Sequence, residues 1–499
     1  MLTNIYWILP EIFLACMSTF LLGYGVVLVK FGQKVQQLKK LHWLTIITLI
    51  LTLILLSQQL NQDTITDSTI LVGNGFLYVN EYSIIIKLIL ISSSITILLL
   101  SLDATILDKI FDYEFSQLIL LSTLGIMLLI SSRDLIMLYL AIELLSLSFY
   151  VLAAIKRDSQ HSVEAGLKYF LLGALSSGLL LFGMALIYTF TGETNFDAIN
   201  QYLWYNSSAE NTELTIGATF IFIALLFKIA AAPFHQWVID VLEGSPTIVT
   251  AYFSTVPKIA IFGTIIILIN IPFISIYQDL QILFIACAVL SLIIGSVGAL
   301  NQAKVKRLLA YSGITHIGFL LIALLPNTIF SLHAALIYFF LYIIMTFNTF
   351  AFVLSVFRNG NFITQLSGLS RYNPILAFTF AFTLLSIAGI PPLAGFLSKY
   401  LVLLQAVNSG MYAIAFIAVI SSCIATFYYL RIIKWMFFKD TNYFHMKDIG
   451  DCIYPVNSNQ VTFIQSIILG STSWIILTFL FFPTWFTTFS LNCILSSLL

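Results

Sequence analysis

Charge is what this sequence has least of. Only 9% of its 499 residues are Asp, Glu, Lys or Arg, while 60% are hydrophobic. Soluble domains carry about 25% charged residues. A water-soluble chain of this length could not cover its surface with so few charges, which excludes a soluble enzyme, a nucleic-acid binder and a disordered chain. The 22 basic and 22 acidic side chains cancel to a formal net charge of zero. Cysteine is scarce too. Cys16, Cys287, Cys423, Cys452 and Cys493 lie far apart, with no pair at metal-ligand or redox spacing, and read as packed apolar thiols. No Gly-rich phosphate loop follows a strand, and no strand-like alternation is evident, so no motif for an iron–sulfur cluster, a flavin or a nucleotide is present. What remains is an all-α polytopic membrane protein.

A membrane-crossing helix needs about 20 mostly apolar residues. Fourteen such stretches occur, near 7–29, 41–60, 82–102, 115–131, 134–155, 163–190, 214–239, 248–272, 278–299, 307–325, 330–357, 374–406, 411–438 and 462–487. Glu11 sits inside the first, and no small-residue cleavage site follows, so a retained helix is expected rather than a signal peptide. With this count every loop Lys and Arg except Arg133 falls on one side of the membrane. Short inner loops concentrate basic residues, which places both termini on the opposite face. The inner loop holding Asp103, Asp108, Asp112 and Glu114 runs against the pattern, but acids count little in this rule. Segment Thr194–Glu213 mixes Phe196, Ile199, Tyr202, Leu203 and Trp204 with polar residues and is expected to form a short interfacial helix. Lys439–Val461 is the longest inner loop and a candidate partner contact.

Five lysines, Lys87, Lys168, Lys228, Lys258 and Lys399, fall inside the spans, together with Glu143. A charge near the bilayer centre costs a few kcal/mol by insertion scales. Lys87 and Lys168 lie close enough to helix ends to snorkel to the headgroups. Lys228, Lys258 and Glu143 lie too deep for that, and their bland alternative is a structural Glu143–Lys228 ion pair. Two spans are also interrupted. Span seven reads Lys228-Ile-Ala-Ala-Ala-Pro233-Phe-His235, and span twelve reads Ser386-Ile-Ala-Gly389-Ile-Pro391-Pro392, with Lys399 beyond. Proline removes a helical donor, and in lipid the freed carbonyls need partners, so broken helices survive inside protein or along a wet cavity. The two breaks lie five spans apart. Five is odd, so units of helices 4–8 (113–274) and 9–13 (275–440) would sit upside down to one another. A three-helix segment (1–112) precedes them, and an inner-side loop with helix 14 (441–499) follows. Inverted repeats with discontinuous helices are the architecture of ion-coupled transporters.

Lysine binds protons and repels metal cations, and desolvation loosens its hold on a proton while a nearby carboxylate tightens it. The residues therefore suggest a proton relay from Glu143 and Lys228 through Lys258 to Lys399. Lys168, His235, His316 and His333 are supporting candidates, although each lone His is more often interfacial or structural. No Walker motif or haem ligand set supplies energy.

Several runs resemble a known family: Tyr139-Leu-Ala-Ile-Glu143-Leu, Lys228 to Trp237, Glu243-Gly-Ser-Pro-Thr, Val256-Pro-Lys258, Lys304-Val-Lys-Arg-Leu-Leu-Ala-Tyr-Ser and Ser386 to Phe396. Together they resemble the proton-channel family of respiratory complex I and its relatives, the Mrp-type antiporters, over nearly the whole chain. The resemblance implies fourteen helices with two inverted five-helix repeats. It implies that Glu143 and Lys228 are the coupled pair, Lys258 the central relay and Lys399 the terminal site, with Lys168 on the pathway. It further implies a non-redox subunit of NADH:ubiquinone oxidoreductase that binds no cofactor itself, NADH, FMN, the iron–sulfur clusters and ubiquinone belonging elsewhere in the complex. The partners implied are other membrane-arm chains and lipids. Ile-, Phe- and Asn-rich composition suggests an AT-rich organellar genome, hence the mitochondrial inner membrane with both termini on the intermembrane-space side; bacterial plasma membrane and thylakoid homologues stay open. Two rivals remain at this point. One is an Mrp-type cation/proton antiporter, and the other is a structural membrane subunit whose lysines merely pack.

Overall fold

The computed structural model describes residues 2–31, 34–61, 70–107, 113–205, 212–357, 362–439 and 461–498. The expected inner loop at 440–460, with Lys447 and Cys452, lies outside the described residues, as do Asp108, Lys109, Asp112, Arg358 and residues 206–211 of the expected interfacial segment.

The chain begins with α1 (Leu2–Phe31) and α2 (Lys34–Leu60), then a hairpin of β1 (Ile70–Val72) and β2 (Leu77–Val79). Next come α3 (Glu81–Leu107), α4 (Glu114–Ile130), α5 (Leu135–Ala153), α6 (Gln160–Thr191), the short α7 (Phe196–Tyr205), α8 (Thr212–Ile229), α9 (Gln236–Gly244) and α10 (Thr247–Asn270). The rest is α11 (Tyr277–Leu300), α12 (Val305–Leu324), α13 (Ile329–Val356), α14 (Leu369–Tyr372), α15 (Pro374–Ala388), α16 (Ala394–Asn408), α17 (Tyr412–Phe438), α18 (Phe463–Thr478) and α19 (Thr484–Leu498). Among the described residues, 11 helices are long and apolar enough to cross a membrane, and α4, α15 and α18 are shorter apolar helices at three further expected spans. In hydrocarbon only a helix or a closed barrel pairs its own backbone groups, which is why long apolar runs fold this way.

Two expectations need correction. The hairpin pairs Ile70 with Val79 and Val72 with Leu77. Strands of three residues are too short to show alternation; the readable cue was the turn Gly73-Asn74-Gly75, all three at positive φ. The last expected span, 462–487, is not one helix: α18 ends at Thr478 and α19 starts at Thr484. Pro483 lies between them, and helices usually end before a proline.

The chain divides into two compact units, one of Met1–Ala230, Gly244–Leu283 and Leu491–Leu499, the other of Ala231–Glu243 and Phe284–Ser490. In the first unit α10 is buried along its whole apolar length. Tyr82 Oη on α3 donates to the Gly263 carbonyl of α10 at 3.1 Å, and Ser122 of α4 meets Tyr252 Oη of α10 at 2.7 Å. Helices α6 and α8 approach closely at Gly183 and Gly217, where a side chain on Gly183 would collide with the Gly217 carbonyl. Small residues at such crossings are how membrane helices pack without a hydrophobic drive between them. In the second unit α13 is central. Thr328 and Ser331 cap its start reciprocally, Asn348 donates to Thr472 of α18 at 2.9 Å, and Phe352 stacks on Phe380 of α15 at 3.7 Å.

Candidate functional site

Each interrupted span places a lysine against the end of a half-helix. The first half-helix, α8, carries Lys228 in its last turn and stops at Ile229, because Ala230 turns to φ 64 and Pro233 follows. A cation there faces the negative end of the helix dipole. Lys228 is 8% exposed. Its Nζ lies 3.5 Å from the Tyr150 hydroxyl of α5 and 5.7 Å from the centre of that ring. In the second unit, α15 ends at Gly389 with φ 88, and Lys399 on α16 reaches back to donate to the Ala388 carbonyl at 2.8 Å. That carbonyl has no helical partner of its own, as at every helix C-terminus. The Lys399 ammonium also lies 5.2 Å from the Phe319 ring centre. Gly389 is required twice over, because its φ suits glycine and a Cβ there would press on the Lys399 side chain. Both breaks contain a cis proline peptide, Ala232–Pro233 and Pro391–Pro392.

Glu143 sits half-buried on α5, on a face whose neighbours Ile136, Leu140, Leu147 and Val151 are exposed. It makes no direct ion pair with Lys228 among the described residues. Instead its Oε2 accepts from Ser146 Oγ at 3.1 Å. Lys258 is buried in α10 directly after Pro257, and the helix runs through that proline unbroken. Lys168 is different in kind: it pairs with Glu164 at 2.7 Å, one turn back on α6, and both side chains are exposed. His235 follows the Pro233 break, half-buried, with a buried Nδ1 that has no hydrogen-bond partner. His316 bonds Tyr338 Oη at 2.7 Å through Nδ1. His333 bonds the Thr487 carbonyl at 3.0 Å, tying α13 to α19.

Lys87 does not snorkel. It is 1% exposed and pairs with Glu11 of α1 at 2.6 Å, in the N-terminal helices. Reading by sequence alone noted both residues but had no means to join them across 76 positions. It also missed Ser146 and Tyr150, whose signal was their spacing of three and seven from Glu143, along one helical face. Two of the motif runs meet in the second unit. Glu243 of α9 lies 2.5 Å from Lys304 and 2.5 Å from Arg307 Nε, and Asp240 lies 3.3 Å from Arg307. Acids at the end of α9 and a lysine capping the start of α12 each oppose the local helix dipole, and this network neutralises both.

A family model described as NADH:quinone oxidoreductase/Mrp antiporter, TM, matches residues 132–425. The chain is 40% identical over 486 residues to NADH-ubiquinone oxidoreductase chain 2 of Oenothera berteroana, covering 96% of each. It is 41% identical over 372 residues to NADH-quinone oxidoreductase subunit N 1 of Rhizobium meliloti, covering 74% of this chain and 77% of that one. It is also similar to a chain of respiratory complex I from Thermus thermophilus, with a TM-score of 0.77 at 27% identity over 96% of this chain and 98% of that one.

Proposed function

From the premise that this chain belongs to the NADH:quinone oxidoreductase/Mrp antiporter membrane family, we propose that it is a proton-translocating membrane-arm subunit of NADH:ubiquinone oxidoreductase. The observation that carries this reading is the likeness to an NADH-ubiquinone oxidoreductase chain over 96% of both sequences, in a chain that buries Lys228, Lys258 and Lys399 in apolar helices. Glu143 and Lys228 act as the coupled pair, Lys258 as the relay and Lys399 as the terminal site. Lys168, His235, His316 and His333 are supporting positions. A buried ammonium that is held by a neutral hydroxyl or a carbonyl can give up its proton without stranding an opposite charge, which suits transfer. The half-helix ends at Pro233 and at Pro391–Pro392 supply the polar surroundings that a proton needs inside a membrane.

The same reading takes fourteen crossings, two inverted repeats (113–274 and 275–440) after an N-terminal segment (1–112), and both termini on the side away from the basic loops. The region 441–499 closes the chain with the inner-side loop and helix 14. Other membrane-arm subunits and lipids surround it, and the redox cofactors work elsewhere in the complex. The membrane is the mitochondrial inner membrane, as the match to a plant chain 2 supports. The reading is tested with Lys228→Met in the fully assembled complex: NADH-driven proton pumping is expected to fall at least tenfold, and undiminished pumping overturns it. A cation/proton antiporter is the second reading, favoured by the antiporter half of the family description. A native gel separates the two, since the proposed subunit co-migrates with NADH dehydrogenase activity and an antiporter migrates apart from it.

A further inference from the structure

Acid is missing from one long stretch of this chain. Between Asp279 and Asp440 there is no Asp or Glu, while nine Lys or Arg occur: Lys304, Lys306 and Arg307, then Arg358, Arg371, Lys399, Arg431, Lys434 and Lys439. The first unit sets carboxylates of its own against its cations, as at Lys87–Glu11, Arg133–Asp197 and Arg157–Glu114. In the second unit Asp240 and Glu243 are already engaged by Lys304 and Arg307. Arg431 donates to the Leu300 and Gln302 carbonyls, and Lys399 to that of Ala388. Arg371, Lys434 and Lys439 are gathered at one membrane end. Helices α14 and α15 pack on α17, and Phe378 of α15 meets Phe437 of α17 at 5.3 Å, so the start of α15 lies beside the finish of α17. Arg371 and Lys434 are exposed there, and the Lys439 ammonium lies 3.5 Å from the Trp435 ring centre. Among the described residues, neither Lys434 nor Lys439 meets a carboxylate.

Each helix continues from these cations into an exposed apolar strip. On α15 it is Ile375, 76% exposed, and Phe378; on α17 it is Leu430 and Phe427, one and two turns before Lys434. Tyr372, Trp435 and Phe438 stand at the junction of cations and strips, where aromatic side chains sit at headgroup level in a membrane. We infer that this end of the second unit is a binding site for an anionic phospholipid. Arg371, Lys434 and Lys439 surround its phosphate, and its acyl chains lie along the α15 and α17 strips. Free phosphate would match the cations and leave the strips bare, and a neutral lipid would cover the strips and leave the cations unmatched. An anionic phospholipid meets both needs, in a stretch of sequence that supplies no acid of its own. Basic pockets between membrane helices bind such headgroups, with each Lys or Arg near the surface strengthening binding about fivefold. The site is independent of the proton relay proposed above.

The test uses the chain in its native assembly, purified from membranes and reconstituted in phosphatidylcholine vesicles. The vesicles carry a trace of phosphatidylglycerol with a photoreactive acyl chain, or of phosphatidylcholine with the same group, and labelled peptides of this chain are mapped after irradiation. The phosphatidylglycerol probe is expected to label residues 427–439 several-fold more than the phosphatidylcholine probe. That labelling should fall about fivefold for each charge removed in Lys434→Gln, Lys439→Gln and their double variant. It should be unchanged by Lys156→Gln, at an exposed loop lysine of the first unit with Asp158 close by in sequence, and by added inorganic phosphate. Equal labelling by the two probes, or undiminished labelling in the double variant, overturns the inference. Loss of label to inorganic phosphate overturns the phospholipid as occupant. Absence of label from both probes, with a neighbouring subunit cross-linked to the same peptides, shows that protein covers this end and overturns it too. Should the double variant fail to assemble, the single variants and Arg371→Gln decide by the same criteria.

Discussion

The first unit keeps two lysines in the membrane by opposite means. Lys87 is clamped to a carboxylate at 2.6 Å and 1% exposed. Lys228, 8% exposed, has the neutral Tyr150 hydroxyl at 3.5 Å, and Glu143 is hydrogen-bonded to Ser146 instead of to the lysine. The first arrangement holds charge tightly and lets nothing move: either partner alone would be an uncompensated buried ion. The second leaves the lysine a partner that stays satisfied whether the amine carries its proton or not. Lys399 in the second unit follows the second pattern, with a backbone carbonyl as its partner. Among the buried lysines, one clamped to a carboxylate and one resting on a neutral acceptor are thus held differently, and the function proposed above assigns proton transfer to the second kind.

The strongest way to break this comparison is to remove one acid. Glu11→Leu leaves Lys87 buried without its counter-ion, and the chain is expected to lose about 3–5 kcal/mol, seen as failed assembly on a native gel. Glu11→Leu with Lys87→Leu should restore assembly, since a well-packed apolar pair replaces a buried ion pair at little cost. Lys228→Met should show the reverse profile, with stability changed by no more than about 1 kcal/mol and pumping lost. If Glu11→Leu assembles normally, or if Lys228→Met unfolds the chain, the distinction between the two lysines collapses.

What was legible in the sequence follows from the same physics. Lys228, Lys258, Lys399 and Glu143 stood out because an ionisable group in an apolar run is expensive wherever it occurs. The breaks stood out because proline removes a helical donor, although the same cue stands at Pro257, where α10 continues through it. The Glu11–Lys87 pair and the Glu243–Lys304–Arg307 network were hidden because they are made by residues 76 and 61 or more positions apart. Tyr150 was hidden for another reason. A tyrosine is ordinary in a chain with 23 of them, and only the folded structure shows its hydroxyl beside Lys228. The three-residue strands were too short to carry a period, and Pro483, which divides the last expected span, was given no weight beside the apolar residues around it.

A smaller effect sharpens the comparison between the two breaks. Ala230 occupies a left-handed conformation at φ 64, with a side chain, while Gly389 at φ 88 has Lys399 folded against it. Gly389→Ala is expected to cost about 1–3 kcal/mol and to push the Lys399 side chain off the Ala388 carbonyl. Thermal unfolding of the purified complex and NADH-driven pumping would both fall. Normal values for both would mean that the close approach of Gly389 does not hold Lys399 in place.

The smallest effect belongs to Arg133, the one loop cation on its side of the membrane by the sequence count. Its side chain is 8% exposed, pairs with Asp197 of α7 at 2.7 and 3.1 Å, and lies 5.1 Å from the Tyr78 ring centre. Its backbone N–H donates to the Phe76 carbonyl, its carbonyl accepts from Phe196, and Thr194 donates to Asp134 at 2.6 Å. Hairpin, α4–α5 turn and α7 are thus joined at one residue, which explains why a basic side chain stands where the loop rule expects none. The ion pair, however, is only one strand of that joint. Asp197 is 42% exposed, so water screens it, and Asp197→Asn keeps an acceptor for the guanidinium. The expected loss is about 1 kcal/mol or less, and it should shrink further at high salt, because an exposed pair is screened and the buried Glu11–Lys87 pair is not. Melting curves of wild type, Asp197→Asn and Glu11→Leu/Lys87→Leu at low and high salt separate the cases. A salt-independent loss in Asp197→Asn comparable to that of Glu11→Leu would show that Arg133 too is a buried charge needing its counter-ion, and that exposure is the wrong guide to which pairs build this protein.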